Sequence, residues 1–299
     1  MEGVVRDHLV NCGRVISATE LADIVETVKL CSGLSRSELA LTIAEHLDWR
    51  SASGSLKLDA CVKFLEKLES QGLTKLPEKQ ASSAKGLKQP IFTERTAAGN
   101  VLVGKVGELG RVLVQPALES EAIGLWNEYV SRYHYLGYQQ PFGCSLRYFI
   151  TSESGLLGCL LFCGAAKALR ERERWVGWTT EQRRRNIGYV VNNSRFLVFP
   201  WVQVKNLASH ALGQAIRRLG ADWQQRWGYQ PVMVETFVDP ERYAGTCYLA
   251  ANWLYLGNTT GQGLARKGKN YTSSPKKIFA KPLADDFRKR LCSEAGGTP

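Results

Sequence analysis

The chain has 299 residues, of which 44% are hydrophobic and 22% charged, values that exclude a mostly disordered chain and a disulfide-held miniprotein. Its 39 Lys and Arg outnumber 28 Asp and Glu, a formal net charge of +11 that points to a polyanionic partner. The longest near-continuous apolar run, Leu156–Ala166, falls far short of a bilayer core of about 30 Å at about 1.5 Å per helical residue, and no basic-then-apolar leader opens the sequence, so the expected compartment is the cytoplasm.

Residues 1–77 read as a small helical domain. Ser17 to Glu20 is a capping box ahead of Leu21, Ile24, Val25 and Val28 at helical spacing. Ser35 to Glu38 is a second, opening a helix over Leu39–Leu47. A third helix is predicted from Leu58 to Gln71, with Gly72 as its stop and Leu73–Pro77 as a short strand. Three helices and a final strand suggest a winged helix-turn-helix whose third helix offers Lys63 and Lys67 to a DNA groove. The segment is net acidic, with 10 basic and 12 acidic residues in 1–80, which leaves protein binding open as an alternative.

Residues 78–105 read as a linker, 106–290 as a second domain and 291–299 as a tail. The second domain alternates its elements. Strands are predicted at Arg111–Val114, Leu146–Thr151, Leu156–Phe162, Arg195–Phe199, Val232–Val238 and Ile278–Lys281. Helices are predicted from Ser120 to Tyr133, over Val204–Gln225 and over Glu241–Leu254. The fold class is therefore α+β, a mixed sheet covered by helices. The long helix after the fourth strand gives this order a resemblance to the acetyltransferase (GNAT) architecture, which by itself implies no activity.

Charge concentrates in two blocks of this domain. Residues 170–218 hold ten basic and three acidic residues, and 264–290 hold nine and two. Arg172, Arg174, Arg183, Arg184, Arg185 and Arg195 in the first, with Trp175 and Trp178 interleaved, have the composition of a phosphate-and-base contact surface. Arg266, Lys267 and Lys269 follow a glycine-rich loop, Gly257–Gly263, in the second. The plainer reading is a solvated basic face with Glu171, Glu173 and Glu181 as partners.

The chemistry-bearing candidates lie between these blocks. Glu235 sits mid-strand among apolar neighbours, where burial demands a partner, a proton or a metal ion. Asp239 follows four positions on, about 13 Å away at about 3.3 Å per residue, so one Mg2+ or Mn2+ bridges both only if the chain folds back at Pro240. A salt bridge for Glu235 and a helix-capping role for Asp239 are the alternatives. Tyr248 and Asn252 share a face of the predicted helix, with Tyr248 as a candidate nucleophile toward phosphate. His134, at a helix end, is a candidate acid, base or ligand. The eight cysteines contain no CxxC pair and read as reduced thiols.

Several motifs are family-specific: YHYLG at 133–137, NSRFLVFPWVQVKNLASHAL at 193–212, ETFVD at 235–239 and GTCYLAANW at 245–253 followed by GNTTGQG. They resemble the DruA family of Druantia anti-phage systems, a module shared with the front of some DDE transposases. The resemblance runs from the N-terminal helices to Leu283. It implies a DNA-acting role in defence or DNA mobility, and carries over His134, Arg195, Glu235, Asp239, Tyr248 and Asn252 as motif positions. Where the family pattern leads one to expect an Asp after an Arg, this chain has Arg172-Glu173, which keeps the charge. The function expected is DNA binding with metal-assisted cleavage or strand transfer at Glu235. The alternatives are a non-catalytic DNA adaptor for a helicase or nuclease partner, and an acyltransferase. The turn Gln203 to Ser209 contains no glycine, which disfavours close approach of a cofactor pyrophosphate.

Overall fold

The computed structural model describes residues 8–11, 14–79, 90–261 and 274–294. They group into two compact units, one formed by the residues up to 79 with Phe142–Cys144, the other by the remainder.

The first unit opens with an antiparallel hairpin, β1 (His8–Asn11) and β2 (Arg14–Ser17). Three helices follow: α1 (Ala18–Leu30), α2 (Arg36–His46) and α3 (Leu58–Ser70). Both capping boxes form. Ser17 and Ser35 accept the amide N–H of Glu20 and Glu38, whose carboxylates bond back to the cap. Ile24, Val28, Leu39, Ile43, Phe64, Leu65 and Leu68 make the core. Cys31 and Cys144, 113 residues apart, bring their sulfurs to 3.7 Å. Leu73–Pro77 is not a strand. It is tied by side chains instead of a ladder: Arg36 Nε donates to Pro77 O at 2.8 Å, and Leu76 N–H donates to Glu69 Oε1 at 2.8 Å. A winged helix carries its hairpin behind the third helix, whereas the hairpin described here stands ahead of α1.

The second unit begins with β3 (Leu102–Lys105), β4 (Leu113–Pro116) and α4 (Ser120–Tyr133). Next come β5 (Leu146–Ser152), β6 (Gly155–Gly164), α5 (Arg170–Val176) and α6 (Thr180–Asn186). Then follow β7 (Val190–Val198), β8 (Val202–Lys205), α7 (Leu207–Trp227) and β9 (Met233–Val238). The last elements are α8 (Thr246–Ala250), β10 (Leu254–Asn258), β11 (Lys277–Pro282) and α9 (Phe287–Leu291). Seven strands form one mixed sheet in the order β10-β11-β9-β7-β6-β5-β4. Every neighbouring pair is antiparallel except β7–β9. The helix α7 connects this parallel pair, as parallel strands require a crossover. β6 is buried along most of its length, which explains its unbroken apolar sequence. A Cβ at Gly158 would come within 2.2 Å of Leu197 O, so the approach of β6 to β7 depends on that glycine.

Two features of β7 and β9 open the sheet. They pair only over Val190–Asn192 with Met233–Glu235, and beyond that point each continues without the other. The pairing of β6 with β7 shifts register between Leu161 and Phe162, leaving Ser194 as the extra residue of a bulge. A bulge twists its strand, and here it stands next to the point of divergence.

The predicted Glu241–Leu254 helix reduces to the five residues of α8, and Leu254 onward becomes strand β10. Asn252 takes φ 59°, a left-handed conformation that ends the helical run. The predicted start of the long helix at Val204 moves to Leu207, because Val202–Lys205 pairs with β3 and Asn206, at φ 66°, turns the chain.

Candidate functional site

Glu235 is fully buried, and both of its carboxylate oxygens are occupied. Arg172 Nη1 donates to Oε1 at 3.1 Å and Oε2 at 2.9 Å, and Ala166 N–H donates to Oε1 at 3.0 Å. Arg172 is equally buried. Its Nη1 also donates to Ala166 O at 2.8 Å, its Nη2 reaches Glu173 at 3.0 Å, and its guanidinium lies over Trp178. This corrects two expectations. Glu235 has no lone pair directed to solvent for a metal ion or a phosphodiester, and Arg172 cannot reach DNA. Asp239 is held in its own turn, its Oδ1 accepting Glu241 N–H at 3.1 Å. Among the described residues, no three His, Cys, Asp or Glu gather as metal ligands.

Most of the arginine block is also engaged within the protein. Arg170 and Arg174 each reach Glu171 at 3.0 Å, and Arg183 donates to Lys167 O at 2.9 Å. Arg184 is half-buried. Arg185 donates to Glu294 O at 2.8 Å, joining α6 to the residues after α9. Trp175 stacks on Phe287 at 5.1 Å and Trp178 is buried, so neither offers a free face to a base. Arg266, Lys267 and Lys269 lie outside the described residues. Lys63 and Lys67 are exposed on α3.

A cavity of about 310 Å3 sits in the fork where β7 and β9 part. Four chain segments and Ala208 of α7 wall it; the segments are Tyr133–Leu136 after α4, the bulged part of β7, Thr236–Asp239 at the end of β9, and Tyr243–Tyr248 leading into α8. These are the segments that carry the family-specific motifs. The cavity unites His134, Asp239 and Tyr248 and leaves out Glu235 and Asn252. Asn252 is exposed beyond α8, with its carbonyl accepting Lys281 Nζ at 3.0 Å.

The walls are held by hydrogen bonds. Arg195 Nε donates to Gly137 O at 3.0 Å and Nη1 to Ser194 O at 2.7 Å, fastening the YHYLG turn to the bulge. Tyr248 donates to Asn193 Oδ1 at 2.9 Å, Asn193 donates to Leu161 O and Arg195 O, and Thr236 donates to Asn193 O. Gly245, at φ 82°, lets the chain cross Phe279, whose ring a Cβ would meet at 2.6 Å.

The protonation states follow from burial. Burial, reinforced by Arg195, lowers the His134 pKa to about 4, so the ring is neutral at pH 7. Its Nδ1 accepts Leu136 N–H at 3.2 Å, which places the ring proton on Nε2. Burial raises Cys247 to about 11 and also raises Tyr248, so thiol and phenol both keep their protons. At the mouth, Tyr135 and Tyr243 are exposed with centroids 5.9 Å apart, and Arg242 lies 4.9 Å over Tyr135. Sequence reasoning undervalued this rim and missed Asn193, Ser194 and Thr236. The signal was the clustering of aromatic residues inside motifs that are distant along the chain.

The family profile described as Druantia protein DruA matches residues 65–274, most of the chain and all four cavity segments. The chain belongs to the DruA family. No curated protein matches it. Among solved structures, a spermidine N-acetyltransferase chimera from Vibrio cholerae and hSSAT is 12% identical, covering 58% of this chain and 96% of that one, with a TM-score of 0.38. The aminoglycoside acetyltransferase AAC(6')-Ib in complex with coenzyme A is 12% identical over 61% of this chain and 100% of that one, with a TM-score of 0.39. FeeM, an N-acyl amino acid synthase from uncultured soil microbes, is 12% identical over 58% and 92%, with a TM-score of 0.33. TM-scores below 0.5 at this identity settle neither fold nor chemistry. For this member of the DruA family the site rests on its own geometry, and no helix among the described residues is long and apolar enough to cross a membrane.

Proposed function

We propose that this DruA-family chain serves anti-phage defence by binding DNA at the fork cavity of its second unit, recognising it and presenting it to a helicase or nuclease partner. The observation that carries the reading is the cavity rim, where exposed aromatic rings and an arginine stand over a mainly apolar interior that includes Asp239 and the pre-bonded Asn193 and Tyr248. Stacking faces beside a cation engage unpaired nucleic acid. A general acid or base works best with a pKa near the operating pH, and His134, Cys247 and Tyr248 are all moved away from it. Metal-assisted cleavage at Glu235 and Asp239 does not fit, because Arg172 takes both Glu235 oxygens. On α3, Lys63 and Lys67 remain the proposed duplex contact.

Titration of labelled single- and double-stranded oligonucleotides across salt, with parallel incubations in Mg2+ and Mn2+, tests this. Salt-dependent binding without products is expected. Cleavage products that vanish in Asp239→Asn would restore an enzymatic role, and absence of binding would remove the reading. One observation favours acyl transfer as a second reading: Ala208, in the first turn of α7, reaches the cavity, and left-handed Asn206 supplies the turn that glycine would. Tight acetyl-CoA binding by calorimetry would select it.

A further inference from the structure

Resting on the DNA-binding reading above, we infer that the fork cavity receives one unstacked nucleobase, which docks against Tyr135 and Tyr243 with Arg242 on its flanking phosphate. Exposed apolar side chains grouped into one patch mark binding sites, whereas single ones do not, and Tyr135 and Tyr243 stand together at 5.9 Å. Tyr135 is 37% and Tyr243 57% exposed, and both line the cavity. His134 stacks beneath Tyr135 at 4.8 Å and 26°, so the platform is already two rings deep.

The size fits a base and excludes a duplex. About 310 Å3 lies at the small end of ligand cavities, near roughly 300 Å3. A base taken out of its stack is read in such pockets by hydrogen bonds to its edge. The Asp239 carboxylate lines this cavity and accepts from such an edge, while His134, stacked on Tyr135, belongs to the platform.

Arg242 completes the site. Its guanidinium covers Tyr135 and stands 3.8 Å from Asp239, yet the side chain is 57% exposed. Docking exchanges Arg242 over Tyr135 for the base, and turns the guanidinium outward to the phosphate beside it. The interior keeps its hydrogen bonds, because Asn193, Thr236 and Tyr248 bond to one another and not across the mouth.

The test uses the full chain and a single-stranded oligonucleotide carrying 2-aminopurine, compared with the same strand bearing an abasic position and with its duplex. Tyr135→Ala, Tyr135→Phe and Tyr243→Ala are measured alongside, with circular dichroism to verify folding, and deoxynucleoside monophosphates as competitors. The expected result is quenched 2-aminopurine fluorescence on binding and a loss of affinity of about 5- to 150-fold in each Ala variant, with Phe close to wild type. If the wild type binds DNA but the Ala variants match it and fluorescence is unchanged, base docking is overturned while DNA binding stands. If the wild type binds no DNA, both fall. If free mononucleotides compete as well as the strand, the site belongs to a free nucleotide and the strand-borne base is overturned.

Discussion

Glu235 and Arg172 illustrate how one residue's environment reverses its reading. A mid-strand glutamate is conspicuous in the sequence, but the arginine that neutralises it lies 63 positions earlier, on α5. Breaking a buried ion pair leaves a charge with no partner, at a cost of about 3–5 kcal/mol. Glu235→Gln is accordingly expected to lower stability by about that amount in urea titration, whereas Glu235→Met with Arg172→Met recovers much of it. A Glu235→Gln protein of undiminished stability would show that the pair does not hold α5 to the sheet. His134 gives a second residue-scale prediction. Its pKa is about 4 in the fold against 6.5 for a free side chain, so the unfolded chain binds the extra proton between those values. Stability therefore falls as pH drops from about 6.5 to about 4 and levels off below. Thermal midpoints across this range should show the slope, and His134→Asn should remove its share.

At the scale of elements, the amphipathic and capped segments were legible and the turns were not. The helices α1 and α2 declare themselves through Ser17 and Ser35, and the β5–β6 hairpin through an apolar run of strand length. The helix predicted over Glu241–Leu254 runs past both ends of α8 because Leu249 and Leu254 keep an apolar look, while the left-handed conformation of Asn252 leaves no periodic trace. The cavity was legible in part. His134, Asp239 and Tyr248 were named for their chemistry, but the bulge at Ser194 and the parting of β7 from β9 depend on pairing across the sheet. Gly158 tests that pairing. Gly158→Ala sets a methyl against Leu197 O and should cost about 1–3 kcal/mol or more, read as a lower urea midpoint. An unchanged midpoint would mean that β6 and β7 separate freely.

For the molecule as a whole, a local run of arginines is a weak guide to free cations. Much of the first basic block is engaged by Glu171, Glu173, Glu235 and the Glu294 carbonyl, so its ten basic residues overstate the cations it offers a polyanion. Exposed Lys63 and Lys67 give a direct check. Replacing both with Gln should shallow the salt dependence of duplex binding by about 1–2 in log–log slope, and an unchanged slope would remove α3 from the interface. On the proposed function, DNA meets this protein at the fork cavity and not at Glu235. Photocrosslinking of a strand containing 5-iododeoxyuridine, followed by peptide mapping, reads the contact itself. Adducts on Tyr135 or Tyr243 are expected; adducts confined to α5, α6 or α3, with both tyrosines unmodified, would place the DNA elsewhere.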